Sequence, residues 1–367
     1  MSPVTRKDLH VCIIAGGVGT RLWPRSRRAK PKQLLDLLGG ESMIQATLRR
    51  VLPIVEPERV WVVALADHLG AIAEQLPEVP QENLIGEPAG KNTAMAIGLG
   101  AVHVSSRDPA AVMVSIGSDH SIGDEDAFRR TLLSAAEAAR GGDRLVTIGI
   151  QPRYAHTGYG YIRRGEELGR FDGIEAFRVT EFREKPDAET AQAYFESGEY
   201  LWNSNYFAWR VRAILAAFHD LAPDIARQLD RVAAAVGSKE YSSALTSAYE
   251  SVKREAIDTA IIEKAGNVLT VPGRFPWADV GSWSGAYELA RREGRNFRTG
   301  SNAGKVIFEQ SEGCLVDSGD RLVAVIGLEG VVIVDTPDAL LVCSREKAEL
   351  AGEVVRRIER EGPEELL

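Results

Sequence analysis

Cysteine is scarce in this chain: Cys12, Cys314 and Cys343 are three among 367 residues, an odd and widely spaced set that builds neither a disulfide framework nor a metal cage. Two of them lie inside apolar runs that read as buried strands, which suits a reducing, cytoplasmic setting. The six histidines, at 10, 68, 103, 120, 156 and 219, show no zinc-ligand spacing, and His120 beside Asp119 reads as a loop contact. No run approaches the roughly 18 apolar residues of a membrane span, and the first ten residues lack an apolar signal core. Positive charge is also short, with 44 Lys+Arg against 52 Asp+Glu, so a general nucleic-acid or membrane-surface binder is excluded. Methionine is rare, and Met43, Met95 and Met113 sit in apolar patterns that assign them to the core. Low-complexity tracts and long solenoid repeats are missing as well.

What is present is size and alternation. A chain of 367 residues that is 44% hydrophobic carries enough apolar surface for two domains. Short apolar runs at 11–15, 60–65, 112–116 and 145–150 alternate with helical patterns, which predicts an α/β fold with a mostly parallel central sheet over residues 1–295. The helix at 128–140 is well punctuated, with Asp124, Glu125 and Asp126 at its start, Arg140 at its end and Gly141-Gly142 as the stop. After Asn296 the texture changes: a polar linker over 298–304 is followed by short strands at 322–326, 331–334 and 339–343, a small β domain spanning 296–367. The closing helix, 345–361, carries Leu350, Val354 and Ile358 four residues apart, an apolar stripe that packs on the body or on a second subunit, leaving a homodimer open.

One segment concentrates chemistry. The run Ile13-Ile14-Ala15-Gly16-Gly17-Val18-Gly19-Thr20-Arg21-Leu22-Trp23-Pro24 is a glycine loop leaving an apolar strand, and six cations with no acid lie between Arg21 and Lys32. Small residues let backbone N–H groups close around phosphate oxygens, and cations compensate the phosphate charge. The loop therefore reads as a polyphosphate site, with Arg21 and Lys32 as its phosphate partners. A dinucleotide fingerprint is excluded because Leu22 stands where a third glycine is needed, and a Walker loop because 86–92 spaces its glycines by three residues and places Asn92 after the lysine. In open α/β sheets ligands bind beyond the carboxyl ends of strands, where both the glycine loop and the Gly117-Ser118-Asp119-His120 turn fall.

The glycine loop, Pro31-Lys32-Gln33-Leu34-Leu35, Glu184-Lys185-Pro186 and Trp202-Asn203-Ser204, in this order and spacing, resemble the sugar-1-phosphate nucleotidyltransferases. The Leu22-Trp23-Pro24 variant, the stretches at 87–94 and 157–162, and Asp279-Val280-Gly281-Ser282-Trp283 resemble those members that use GTP and mannose 1-phosphate. The resemblance covers nearly the whole chain. It implies a Rossmann-like nucleotidyltransferase domain, a short β-helix-like C-terminal domain, Mg2+ dependence and the formation of GDP-mannose and pyrophosphate. Some longer members carry an added sugar-isomerase domain, and a chain of this length is expected to be monofunctional.

Roles follow from the resemblance together with charge. Ala15, Gly16, Gly17, Gly19 and Thr20 would cradle the triphosphate, with Arg21, Lys32 and Asp119 at the reacting groups. Asp119 and Asp279 supply hard oxygens suited to Mg2+. Glu87 would accept the guanine N–H donors, with Asn92, Thr93 and Ser118 as neighbours. Lys185 would meet the sugar phosphate and Glu184 the sugar hydroxyls, with Tyr159, Gly160 and Asn203 completing the pocket. Three departures stand out: Asn205 replaces the family's usual glycine beside that pocket, Tyr154-Ala155-His156 lacks its acid, and Ala256 replaces the serine of a Ser-Ile-Asp run. They leave glucose, fucose or heptose 1-phosphate as alternative substrates. A catalytically silent sugar-nucleotide sensor is the non-enzymatic alternative.

Overall fold

The computed structural model describes residues 7–37, 40–290, 296–300 and 305–367; the boundary expected at 295 and part of the linker expected at 298–304 touch positions outside them. Strands form where β-branched and aromatic residues cluster. In chain order they are β1 (Leu9–Ala15), β2 (Val60–Leu65), β3 (Leu84–Glu87), β4 (Val112–Gly117), β5 (His120–Ile122), β6 (Leu145–Ile150), β7 (Tyr161–Phe171), β8 (Ile174–Arg183), β9 (Tyr200–Arg210), β10 (Val268–Gly273), β11 (Trp277–Asp279), β12 (Phe297–Thr299), β13 (Val306–Glu309), β14 (Leu315–Asp317), β15 (Val323–Ile326), β16 (Val331–Asp335) and β17 (Leu340–Ser344).

The chain divides into two compact units, one of Met1–Gly16, Leu48–Gly117 and Ile122–Pro276, the other of Gly17–Thr47, Ser118–Ser121 and Trp277–Leu367. The first holds a nine-stranded sheet in the order β3-β2-β1-β4-β9-β6-β10-β8-β7. Pairing is parallel among β1, β2, β3 and β4 and between β6 and β10, and antiparallel wherever β7, β8 and β9 meet a neighbour, so the sheet is mixed. The central strands β1, β2, β4 and β6 are almost wholly buried, as strands covered on both faces must be. The helix Glu125–Arg140 begins at Asp124, whose Oδ1 accepts from the Ala127 amide at 2.9 Å. Met95, Met113, Cys12, Trp209 and Phe218 share one buried cluster.

In the second unit β12, β14 and β16 stack in parallel, β17 closes that stack antiparallel, and β13 pairs with β15 alongside in sequence. Alternate strands thus feed two small sheets, as in a short β-helix. Residues from the stretch after the glycine loop and from the helix Trp283–Ala290 join this β part in one core, where Leu22, Trp23, Leu35, Val280, Trp283, Val332 and Ile358 pack together. The closing helix differs from the expected stripe. A 3-10 turn over Arg345–Leu350 precedes an α-helix over Ala351–Glu361, and the buried face is Ala351, Val355 and Ile358, while Leu350 and Val354 are exposed. The tighter turn, three residues per revolution, rotates Leu350 off the face that four-residue spacing assigns it.

Candidate active site

In the second unit the glycine loop wraps its own lysine. Gly19 is left-handed at φ 75°, and a Cβ there would lie 2.6 Å from the Cβ of Lys32, so only glycine lets the lysine stem lie against the loop. The Lys32 amide donates to Val18 O at 3.2 Å, and Ser26 Oγ donates to Gly19 O at 2.7 Å. This fixes the Lys32 ammonium 2.5 Å from Asp119 Oδ2 and 3.6 Å from Asp279 Oδ1. Burial alone would lower the lysine's pKa; Asp119 and Asp279 outweigh it and raise it. Burial also works against ionisation of Asp119, but Lys32 and His120 hold its carboxyl below the usual range.

Asp119 and Asp279 meet because β11 returns beside the turn after β4, the Val280 amide donating to Asp119 O at 3.4 Å. With His120 they offer ligand atoms all within 4.8 Å of one another. Asp279 Oδ1 is buried and makes no hydrogen bond among the described residues, the condition of an oxygen suited to a cation. Two carboxylates and an imidazole fit a divalent ion. Arg21 reaches the same place: a Cβ on Gly281 would lie 3.4 Å from Arg21 Nη2 and 3.5 Å from Asp279 Oδ2. The structure therefore brings Arg21, Lys32, Asp119 and Asp279 together and adds His120, which the sequence reading set aside. The His120 ring packs edge-on against Trp277 at 5.0 Å. Gly17 is left-handed and Thr20 opens the short turn Thr20–Leu22, while Ser118 is buried and its carbonyl accepts from Thr47 Oγ1 at 3.4 Å.

In the first unit Glu87 ends β3 as a buried side chain. Burial pushes its carboxyl up to about 7, against the pull of the Tyr249 hydroxyl, which donates to Oε1 at 2.9 Å. Its Oε2 would lie 4.0 Å from a Cβ on Gly16, which follows Ala15 at the end of β1. Asn92 and Thr93 each brace local backbone: Asn92 Oδ1 caps the Thr93 amide at 2.9 Å, and Thr93 Oγ1 accepts from the Ile257 amide at 2.9 Å.

A second cluster in this unit gathers the sugar-side candidates. A Cβ on Gly160 would lie 2.6 Å from Glu184 Oε2 and 3.3 Å from the Cβ of Asn203, so a side chain here would push the Glu184 carboxylate aside. Lys185 Nζ lies 2.8 Å from Glu184 Oε1, and Lys185 and Asn205 both hold positive φ, at 45° and 58°. Such strain persists where surrounding structure enforces it. Tyr159 stacks on His156 at 4.1 Å and meets Trp202 edge-on at 5.1 Å. Sequence reasoning missed Tyr249 and Asp258. Asp258 carried a signal, a lone carboxylate inside the apolar run 256–262; Tyr249 carried none.

A mixed Rossmann-like sheet, a glycine loop with half-buried lysine and a paired-carboxylate cluster define a phosphate-transferring enzyme of the nucleotidyltransferase class. The chain belongs to the nucleotidyl transferase family, whose model matches residues 10–295; a MannoseP isomerase/GMP-like beta-helix domain matches 304–358. It is 38% identical to the mannose-1-phosphate guanylyltransferase of Escherichia coli K12, over 99% of this chain and 76% of that protein. It is also 38% identical to the xanthan biosynthesis protein XanB of Xanthomonas campestris, over 98% of this chain and 75% of that protein. A crystal structure described as mannose-1-phosphate geranyltransferase from Thermus thermophilus superposes with a TM-score of 0.86 at 33% identity, covering 96% of this chain and 99% of that one. No helix among the described residues is long and apolar enough to cross a membrane.

Proposed function

We propose that this enzyme transfers GMP from GTP to mannose 1-phosphate, giving GDP-mannose and pyrophosphate, with Mg2+ and in the cytoplasm. The observation that carries the reading is the Lys32–Asp119–Asp279 cluster with Arg21 beside it, at distances of 2.5 and 3.6 Å for the lysine. Relatives named for this activity align over nearly the whole chain and support the choice of substrates.

A phosphate oxygen of the sugar attacks the α-phosphorus, a P–O bond forms, the α–β bridging bond breaks, and pyrophosphate takes up the released charge. Ala15, Gly16, Gly17, Gly19 and Thr20 offer close backbone contact to the triphosphate, and Arg21 and Lys32 neutralise it. Asp119 and Asp279 would hold Mg2+, with His120 at their side and Ser118 adjoining; the ion supplies charge neutralisation and alignment of phosphate oxygens when bound. Glu87 accepts from the guanine, near Asn92 and Thr93. Glu184 receives the sugar hydroxyls, Lys185 the sugar phosphate, and Tyr159, Gly160, Asn203 and Asn205 shape the pocket.

Pyrophosphate release across five nucleoside triphosphates and a panel of sugar 1-phosphates tests the reading, with a maximum expected for GTP and mannose 1-phosphate. A maximum with another sugar moves specificity to Asn205, and silence with nucleotide still bound favours a sensor. Asp119→Ala and Asp279→Ala should each cut turnover by roughly 100-fold or more; near-wild-type rates in both would remove the metal assignment.

A further inference from the structure

The sugar-side cluster contains an amide with nothing left to offer a ligand. A carboxamide has two N–H donors and two acceptor lone pairs. Asn203 Oδ1 accepts from Thr147 Oγ1 at 3.0 Å and from the Asn205 amide at 3.3 Å; its Nδ2 donates to Asn205 Oδ1 at 3.0 Å and to Asp258 Oδ1 at 2.8 Å. Because a backbone N–H can only donate, the Asn205 amide fixes which end of the carboxamide is oxygen. Asn203 is itself buried, and its backbone amide donates to Gly160 O at 2.8 Å. It is a hub whose carboxamide is fully engaged within the protein.

What the hub holds is Asn205. This residue is exposed, left-handed at φ 58°, and sits where the β6–β9 register shifts between Thr147 and Gly149. Its Oδ1 is taken by Asn203, while its Nδ2 makes no hydrogen bond to any described residue. Of the two amides, Asn205 is therefore the one with donors to present. On the far side Asp258, buried, opens a π-helical turn, Asp258–Ile262, a distortion that recurs at functional sites. Burial, reinforced by Glu184, pushes the Asp258 carboxyl up to about 7.

We propose that Asp258 is a positioning residue for the sugar 1-phosphate: through its hydrogen bond to Asn203 it locks Asn205 in the left-handed conformation that aims Nδ2 at the sugar. This deepens the guanylyltransferase reading and rests on it. Without the acceptor at 258 the Asn203 carboxamide turns, Asn205 relaxes toward an ordinary backbone conformation, and preorganised affinity for the sugar is lost while GTP affinity is untouched.

Steady-state pyrophosphate release with GTP and mannose 1-phosphate tests it. Asp258→Ala should raise the KM for mannose 1-phosphate about tenfold, leave the KM for GTP within about twofold, and change kcat by less than about threefold. Asp258→Asn keeps an acceptor at the same place and should restore the sugar KM to within about threefold of wild type. In an Asn205→Ala background, Asp258→Ala should cost nothing further. Equal rises in both KM values, an additive double variant, or an Asp258→Asn enzyme with a sugar KM about ten times wild type or more would overturn the assignment, and the last holds even where Asp258→Ala does not fold. A wild-type enzyme that turns over no sugar 1-phosphate sinks the functional reading and this inference with it; failure of the variants in an active enzyme sinks the inference alone.

Discussion

Glu87 shows how burial sets the working charge of a single side chain. Its folded-state pKa, about 7, lies above the ordinary carboxyl value of 4.5, so the folded protein favours the protonated form. Its contribution is most favourable at low pH and is lost as pH rises from about 4.5 through about 7, by on the order of 3 kcal/mol over that window. Unfolding midpoints in urea should show this decline, and Glu87→Gln should remove it. Guanine presents two N–H donors to this position and is better served by the carboxylate. The KM for GTP should therefore fall between about pH 6 and 8 in wild type and stay flat in Glu87→Gln; a flat wild-type profile would detach Glu87 from the base. Lys32 carries the opposite logic, since it separates two carboxylates that would otherwise face each other. Lys32→Met should lower stability by about 2 kcal/mol in EDTA, less than for a fully buried pair because all three groups keep some solvent. Mg2+ should restore more stability to this variant than it adds to wild type, while turnover falls by roughly 100-fold or more. Equal Mg2+ stabilisation in both would mean that the ion binds elsewhere.

Elements differ in how plainly the sequence declares them. The strands β2 and β6 occupy the stretches that apolar periodicity assigns, and the glycine loop and Lys32 were legible because charge without acids is unusual beside an apolar strand. The hairpin of β7 and β8 was not, because its faces are largely solvated and carry Arg163, Arg164, Glu166 and Glu167 instead of an apolar alternation. Its real signature was Asp172-Gly173, both at positive φ (46° and 83°), the turn chemistry of a tight hairpin. Missing that hairpin hid the antiparallel half of the sheet and with it the register shift under Asn205. Long-range convergence was equally illegible: nothing near Asn203 in sequence announces Asp258. The closing helix supplies the element-scale test, since its buried face keeps Ile358 but takes Ala351 and Val355 in place of Leu350 and Val354. Ile358→Ala should cost about 2–4 kcal/mol in urea unfolding, whereas Leu350→Ala and Val354→Ala, both on the exposed face, should each cost about 0.5 kcal/mol or less. Equal losses at 350 and 358 would restore the original stripe.

At the scale of the molecule, the second unit interleaves distant stretches of chain, and its cations have a divided purpose. Of the six between Arg21 and Lys32, Arg25, Arg27 and Arg28 pair with Asp317, Asp338 and Glu359 of the C-terminal part, at 3.6, 3.1 and 3.2 Å. The loop that carries Arg21 and Lys32 is thus tied to the β part by charge and by an apolar core, and magnitudes decide which tie matters. The pairs at Asp338 and Glu359 are solvent-exposed and worth about 0–1 kcal/mol each, less in salt. Trp283 is fully buried beside Leu22 in that core, and its Nε1 donates to Trp23 O at 2.9 Å. Truncating such a residue costs about 3–5 kcal/mol and frees the backbone next to Arg21. Displacement of a catalytic group by about 1 Å can cost roughly 100-fold in rate. Asp338→Asn with Glu359→Gln should therefore leave kcat within about twofold and stability within about 2 kcal/mol, while Trp283→Ala should lower both sharply without removing any group assigned to a substrate. Turnover that survives Trp283→Ala in a folded protein, or collapses with the two charge substitutions, would place the loop's support in the ion pairs instead of the core.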